Sequence, residues 1–187
     1  MNDPHRKTVR HFEERRHLHE LTFSCFKRKP LLTNDVWRGI LATSVEVACV
    51  NEGFDLVTFV FMPEHVHLLV ARTKQPTSRQ IKELLIGAGS SLVERLTVRE
   101  RPGKSCFRFW QEGPGFDRNI FTAAAIEASI NYIHQNPVKR GLCKRAVEWK
   151  WSSACFSADG MIDTDLPKLV RPDAAWFDRS GVQTEHS

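Results

Sequence analysis

The chain has 187 residues, the length of one domain with a tail, and its 41% hydrophobic and 26% charged residues exclude global disorder. Its net charge is +5, but residues 156–187 carry −3, so the body before them stands at +8, a balance that favours a polyanionic partner such as nucleic acid. The longest mostly apolar run, residues 56–63, is too short for a membrane span, and the N-terminus lacks the apolar core of a secretory signal.

The first half of the chain predicts a strand, a helix and a hairpin, in that order. Apolar and polar residues alternate from position 21 to 26, which is typical of a half-buried strand. Thr33-Asn34-Asp35 is a helix start signal, and Gly53 ends the apolar periodicity that follows it. Residues 55–71, DLVTFVFMPEHVHLLVA, predict two strands that turn about Pro63.

The second half predicts two more helices around an irregular segment. An amphipathic pattern runs from Thr77 to Leu96 and indicates a second helix. Residues 99–119 are basic, aromatic and rich in glycine, and we expect a loop and a short strand there. Thr122 caps a third helix, which we expect to end at Asn136 because the residue before a proline is disfavoured in a helix.

This order of elements favours an α+β fold, an antiparallel sheet covered by helices on one face, in a single domain. We assign residues 1–156 to that domain and residues 157–187 to an acidic C-terminal tail that could be flexible. Five cysteines without a CxxC pair argue against disulfides or a zinc knuckle and favour a cytoplasmic protein.

His65-Val66-His67 is the first pattern that could carry chemistry. Residues two apart on a strand point to the same face, about 6.5–7 Å apart along the chain, so one divalent cation could bridge both imidazoles. The alternative is a solvated polar pair on an open sheet face.

Tyr132 is the second candidate, and it is the only tyrosine in the chain. It lies off the apolar stripe of its helix, formed by Ile126, Ile130 and Ile133, and one turn before Asn136. A phenol and an amide therefore share one helix face. The alternative is a boundary tyrosine with a hydrated hydroxyl group. His134 points nearly the opposite way and is interpreted as a surface or supporting residue.

Basic and aromatic residues form the third candidate group. The cations between positions 139 and 150 are opposed only by Glu148, and tryptophans lie among the basic residues, an arrangement that suits phosphates and stacked bases. The alternatives are a solvated charged face and core aromatics. The residues that we assign to DNA binding are Arg108, Trp110, Arg118, Lys139, Arg140, Lys144 and Arg145.

Two segments together resemble a known family. MPEHVHLLV follows a hydrophobic strand, and NYIHQNPVKRGL comes some way downstream, with LTFSCF, FWQ and WKWSSACF at further matching places. These segments resemble the REP-associated tyrosine transposases, which belong to the HUH single-strand transposases. The resemblance extends over residues 12–156.

The resemblance implies a ferredoxin-like sheet and a set of roles. His65 and His67 fall on the metal ligands, for magnesium or manganese, and Tyr132 on the nucleophile that forms a 5′-phosphotyrosine. Asn136 falls on a polar residue that helps to hold the metal, where related transposases usually have the longer glutamine. The implied substrate is single-stranded DNA with a palindromic-repeat hairpin, and no nucleotide cofactor is needed because the covalent bond conserves the phosphodiester energy.

Two other functions remain open on the sequence. One is a protein that binds hairpin DNA without cutting it, and the other is a metallonuclease that uses water and leaves Tyr132 without a role. We expect a monomer or a homodimer with no membrane partner.

Overall fold

The computed structural model describes residues 18–72, 97–101, 104–107, 109–112, 115–156 and 166–170. The second predicted helix, residues 77–96, lies outside the described residues, as does Arg108. The described strands are β1 (Leu18–Ser24), β2 (Phe54–Phe61), β3 (His65–Arg72), β4 (Thr97–Arg101), β5 (Lys104–Phe107) and β6 (Phe116–Ile120). The described helices are α1 (Asp35–Glu52) and α2 (Ala123–Lys139), accompanied by short 3-10 turns at Phe26–Arg28, Leu31–Thr33, Ala146–Glu148 and Ser153–Cys155.

The centre of the fold is a four-stranded antiparallel sheet in the order β2-β3-β1-β6. The predicted α+β class and antiparallel sheet are confirmed, including the β2–β3 hairpin around Pro63. Strands β4 and β5 form a separate two-stranded ribbon. In the register of β1 and β3, Thr22 lies opposite His67 and Ser24 lies opposite His65.

The two described helices pack on opposite faces of the sheet, which corrects the expectation of helices on one face. On β3, Val66, Leu68 and Val70 belong to one apolar cluster and Leu69 and Ala71 to another, because successive side chains point to opposite faces. The first cluster contains residues of α1, and the second contains residues of α2. The central strands carry apolar residues on both sides, so each face needs its own cover. The histidine pair faces α2.

Helix α2 begins where the sequence predicted and ends later. The Thr122 hydroxyl oxygen accepts a hydrogen bond from the Ala125 N–H at 3.2 Å, which caps the first turn. The predicted end at Asn136 is wrong, because the helix continues through Pro137 to Lys139. Proline biases the preceding residue away from helical geometry without forbidding it, and near a helix end it removes only one hydrogen bond. The end of the helix therefore places Lys139 and Arg140 beside the sheet, in the lining of one pocket.

Gly115 sets the start of β6 beside β1. Its φ is +80°, and an added Cβ would lie 2.6 Å from the Thr22 carbonyl oxygen. Only glycine combines that backbone conformation with so close an approach. The close approach allows β6 to pair with β1, with Phe116 opposite Thr22.

The outer edge of β2 is covered by later parts of the chain. The Phe61 N–H donates to the Trp151 carbonyl at 2.8 Å, and the Val170 N–H donates to the Leu56 carbonyl at 2.9 Å. Leu166 is buried in the core as well. Residues 166–170 thus pack against the body, while the domain boundary after residue 156 stays a prediction. In the described part of the chain, neither helix is long and apolar enough to cross a membrane.

Candidate functional site

A pocket opens between α2 and the sheet face that it covers, and it gathers most of the candidate residues. Strands β1, β3 and β6, helix α2 and the turn before α1 all contribute to its wall. Its lining residues are Glu20, Thr22, Arg28, His65, His67, Phe116, Arg118, Tyr132, Asn136, Lys139 and Arg140. Four cations and one carboxylate in this wall give it a positive balance, which suits an anionic ligand.

The histidine pair lies at the bottom of this pocket. Its two Nε2 atoms are 3.1 Å apart, and the two rings are nearly perpendicular, at 86°. Each residue is only 5% exposed, so the alternative of a solvated pair does not describe this structure. The outer nitrogens are also held, since His67 Nδ1 lies 2.7 Å from the Thr22 hydroxyl and His65 Nδ1 lies 3.1 Å from the Glu64 carboxylate. These partners orient both Nε2 atoms towards each other.

Burial keeps both imidazoles neutral at pH 7. Burial lowers the pKa of His67 to about 3, and repulsion from a protonated His65 and from the Arg28 guanidinium group adds to this shift. Burial also lowers the pKa of His65, although the neighbouring Glu64 carboxylate opposes that shift. A neutral imidazole that donates through Nδ1 presents the lone pair of Nε2, the form in which histidine binds a metal.

Tyr132 and Asn136 come to the same place from α2. Tyr132 is 43% exposed, and its ring meets the His67 ring edge to face, with 5.5 Å between centroids. Asn136 is buried, and its amide Nδ2 lies 3.2 Å from His67 Nε2. The shorter asparagine side chain therefore reaches the histidine pair. The phenol stands at the pocket surface beside it.

These three side chains fit a divalent cation. Two ligands at right angles around an ion, each about 2.2 Å away, are about 3.1 Å apart, and the two Nε2 atoms have that separation. Exchanging the assigned amide nitrogen and oxygen of Asn136 directs the carbonyl oxygen at the same point. Among the residues that the structure describes, no group of three or more His, Cys, Asp or Glu side chains could hold a metal. The donors that this site could offer to an ion are two imidazoles and one amide oxygen.

A buried carboxylate joins β1, β6 and α2 at the other side of the pocket. Glu20 is 4% exposed and accepts hydrogen bonds from Arg118 and from the Ser129 hydroxyl, the latter at 2.8 Å. Ser129 lies one turn before Tyr132 on the same helix face. The carboxylate therefore fixes the helix that carries the phenol against the sheet.

The other residues predicted to bind DNA divide into two groups. Arg118, Lys139 and Arg140 line the pocket. Lys144 and Arg145 are exposed away from it, and Arg145 pairs with Glu148.

Trp110 is not placed to stack on a base. It is 9% exposed, and its ring packs edge to face on Phe23 and Phe109, at 5.1 and 4.7 Å between centroids. The structure places this residue in the core, which corrects its assignment to the DNA interface. Besides Tyr132, the pocket lining contains an exposed aromatic side chain in Phe116, which is 53% exposed.

Sequence reasoning also missed several pocket residues. Glu20 and Thr22 could have been found, because they alternate with the apolar residues of β1 and so share one face. Arg28 and Phe116 carry no local signal, since their places depend on a turn and on the order of the strands.

His134 supports the packing of α2 from the other side. Its Nε2 lies 2.8 Å from the hydroxyl groups of both Thr58 and Ser153. These contacts join α2 to β2 and to the 3-10 turn at Ser153–Cys155. Burial lowers its pKa to about 4, so it is neutral at pH 7. This placement agrees with its interpretation as a supporting residue.

Comparison with known proteins gives a consistent result. The family model for "Transposase IS200 like" matches residues 15–136, more than half of the chain. A solved REP-associated tyrosine transposase bound to a REP hairpin is 20% identical, with a TM-score of 0.64 over 91% of this chain and 96% of that one. A putative transposase from Deinococcus radiodurans is 21% identical, with a TM-score of 0.42 over 72% of this chain and 97% of that one. No curated protein matches the chain.

Proposed function

The chain belongs to the IS200-like transposase family, and we propose that it cuts and rejoins single-stranded hairpin DNA with Tyr132 as the nucleophile and a divalent metal as cofactor. The observation that carries this proposal is the meeting of four side chains in one pocket. A half-exposed phenol lies against two buried imidazoles and an amide, below a rim of cations. This arrangement brings together a nucleophile, donors for a metal and phosphate-binding cations, and so supports attack on a phosphodiester.

The metal site comprises His65, His67 and Asn136. Two imidazoles and an amide oxygen would hold the ion, and imidazole favours manganese over the harder magnesium. When bound, the ion would polarise the scissile phosphate and help to orient it.

Tyr132 supplies the covalent chemistry. A phenol is protonated at neutral pH and is a weak nucleophile, so it needs a nearby positive charge or a base as its proton leaves. The phenol oxygen forms a bond to the phosphorus atom as the bond between phosphorus and the 3′ oxygen breaks. The released 3′ oxygen takes up a proton and becomes a 3′-hydroxyl group. The product is a 5′-phosphotyrosine. Attack by a 3′-hydroxyl reverses the step and joins the strands without a nucleotide cofactor.

The pocket rim holds the DNA strand. Arg118, Lys139 and Arg140 can contact backbone phosphates, and the exposed ring of Phe116 offers a surface for a base. The solved transposase of similar fold is bound to a REP hairpin. We extend that class of substrate to this chain, since the same fold here carries a positive pocket.

Trapping the covalent intermediate tests the proposal. A hairpin oligonucleotide with single-stranded flanks and a label at its 3′ end is incubated with protein and manganese, then run on a denaturing gel. The wild type should give a labelled protein band whose label maps to the peptide containing Tyr132. Excess chelator should remove the band, and a label at the 5′ end should never enter it.

Tyr132→Phe is the matched variant. It removes one oxygen from a ring that is 43% exposed and keeps the ring contact with His67, so the protein should fold and bind DNA as before. It should give no protein–DNA band. If this variant still nicks the DNA, water is the nucleophile and the protein is a metallonuclease. Tight binding by the wild type without any nick would instead indicate a hairpin-binding protein.

A further inference from the structure

Glu64 is a buried carboxylate that accepts three hydrogen bonds at one edge of the pocket. It lies in the turn between β2 and β3 and is 7% exposed. Its Oε1 receives Arg140 at 2.7 Å, His65 Nδ1 at 3.1 Å and Arg28 at 3.3 Å. One oxygen atom thus joins the hairpin that bears the histidine pair to cations from two other elements. Such a shared acceptor fixes the relative positions of its donors.

Arg28 reaches this carboxylate from an unusual backbone conformation. Lys27 and Arg28 both have φ of 52°, in the left-handed region that residues with a Cβ rarely adopt. The turn is held in place by Phe26 N–H to the Phe109 carbonyl at 2.7 Å and by Lys27 N–H to the Gln111 side chain at 3.0 Å. Backbone strain of this kind persists where surrounding contacts over-determine it, often at functional sites.

Both arginines stay accessible while they pair with Glu64. The side chain of Arg28 is 60% exposed and that of Arg140 is 49% exposed, and both line the pocket. A guanidinium group has five N–H donors, and each recorded contact uses one terminal nitrogen. Two guanidinium groups against one carboxylate leave a net positive charge beside the neutral histidine pair. The arrangement suits a tetrahedral anion that accepts hydrogen bonds from two directions.

We propose that Arg28 and Arg140 form a two-arginine clamp for one backbone phosphate of the bound strand, with Glu64 as the positioning residue that ties this clamp to His65. The proposal rests on the proposed function, since the phosphate comes from the DNA that the pocket would bind. It adds a phosphate subsite next to the histidine pair. It also gives Glu64 two effects, on metal affinity through His65 and on DNA affinity through the clamp.

The clamp is tested by comparing two adjacent residues. Arg28→Ala and Lys27→Ala each remove one positive charge at a residue with the same left-handed φ, but only Arg28 lines the pocket. Both are made in the Tyr132→Phe background, and hairpin affinity is measured by fluorescence anisotropy across a salt series. Arg28→Ala should weaken binding about tenfold and reduce the log–log salt slope by about 0.7, the value for one phosphate contact on a single strand.

Lys27→Ala should leave both the affinity and the slope unchanged. An unaltered slope in Arg28→Ala, or an equal loss in the two variants, would overturn the clamp. Arg28→Lys keeps the charge and loses the planar fork, so it should keep the slope and still weaken binding several-fold. If Arg28→Lys binds the hairpin as tightly as its parent protein, a positive charge at position 28 is sufficient. The proposed contact of two guanidinium groups with one phosphate is then wrong.

The positioning role of Glu64 is tested by metal titration without DNA. Glu64→Gln keeps the shape and removes the charge that orients His65, so manganese affinity measured by calorimetry should fall about tenfold or more. Glu148→Gln, at a carboxylate that pairs with Arg145 outside the pocket, should not change it. Unchanged manganese affinity in folded Glu64→Gln would remove the positioning role. If that variant does not fold, Arg140→Lys should show the same several-fold loss of DNA affinity as Arg28→Lys, and full affinity would overturn the clamp.

The outcomes separate this proposal from the proposed function. Wild-type protein that forms the Tyr132 adduct but keeps its salt slope in Arg28→Ala overturns the clamp alone. A reduced slope in Arg28→Ala with no adduct from the wild type overturns the nucleophile alone.

Discussion

Manganese should raise the melting temperature of this protein, and the increase should depend on His67. Ligands that bind only the folded state stabilise it by mass action, by about 2.7 kcal/mol at a free concentration of 100 times Kd. For a chain of this length, each kcal/mol corresponds to about 2–4 °C, so the expected increase is about 5–11 °C. The geometric basis is the 3.1 Å between the two Nε2 atoms, which one ion can bridge.

His67→Gln should remove most of that increase. Loss of one of three ligands lowers metal affinity by about 100-fold, by comparison with losses of 10–100-fold for residues that only support a ligand. The same manganese concentration then lies near the Kd of the variant. It stabilises the folded state by about 0.4 kcal/mol, which raises the melting temperature by about 1–2 °C. Melting curves by circular dichroism, with and without manganese, measure both increments.

His19→Gln is the control. His19 lies on the neighbouring strand, pairs with Asp117 at 2.9 Å and is buried, as the histidine pair is, but it points to the opposite sheet face. Its substitution should leave the manganese increment intact even if it lowers the baseline melting temperature. No increase in the wild type, or an equal increase in His67→Gln, would refute the reasoning that the pair holds a metal.

Three further results are expected. Lys139→Ala should lower the salt slope of hairpin binding by about 0.7, whereas Arg145→Ala should not, because Lys139 lines the pocket and Arg145 does not. Phe116→Ala should weaken the binding of hairpins with single-stranded flanks and leave the salt slope unchanged, because base stacking releases no counterions. Phe121→Ala is the control and should have no effect, because Phe121 lies outside the pocket lining. Burial raises the pKa of Cys25 to about 12, so iodoacetamide at pH 8 should label this residue in urea and not in the native protein; rapid native labelling would contradict its placement in the core.

Local periodicity was sufficient for the parts of the site that lie on one element. Alternation along a strand places His65 and His67 on one face, and a spacing of four along a helix places Tyr132 beside Asn136. Both statements depend only on the geometry of a single element, and the structure has both arrangements. The order of elements similarly indicated an α+β fold with an antiparallel sheet.

Local signals failed where packing competes with them. Trp110 lies in a basic, glycine-rich segment that suggests an interface, but a bridge to Cys25 carries its ring into the core against Phe23. Burying a large aromatic ring outweighs the polarity of its sequence neighbours. Pro137 likewise suggested that α2 ends at Asn136, but the helix continues through the proline to Lys139.

The tertiary structure decided that the histidine pair of β3 meets Tyr132 and Asn136 of α2. Asn136 and His67 are 69 residues apart in the chain, and their contact exists because α2 packs on the sheet face to which the histidines point. Periodicity specifies which residues share a face but not which helix covers it, since both faces of β3 are apolar enough to be buried. The same reason applies to Arg28 and Arg140, which meet at Glu64 only after the turn, the hairpin and the helix end have packed together. The sequence alone therefore determined the chemical groups and their local spacing, and packing of elements distant in the chain brought those groups into one pocket.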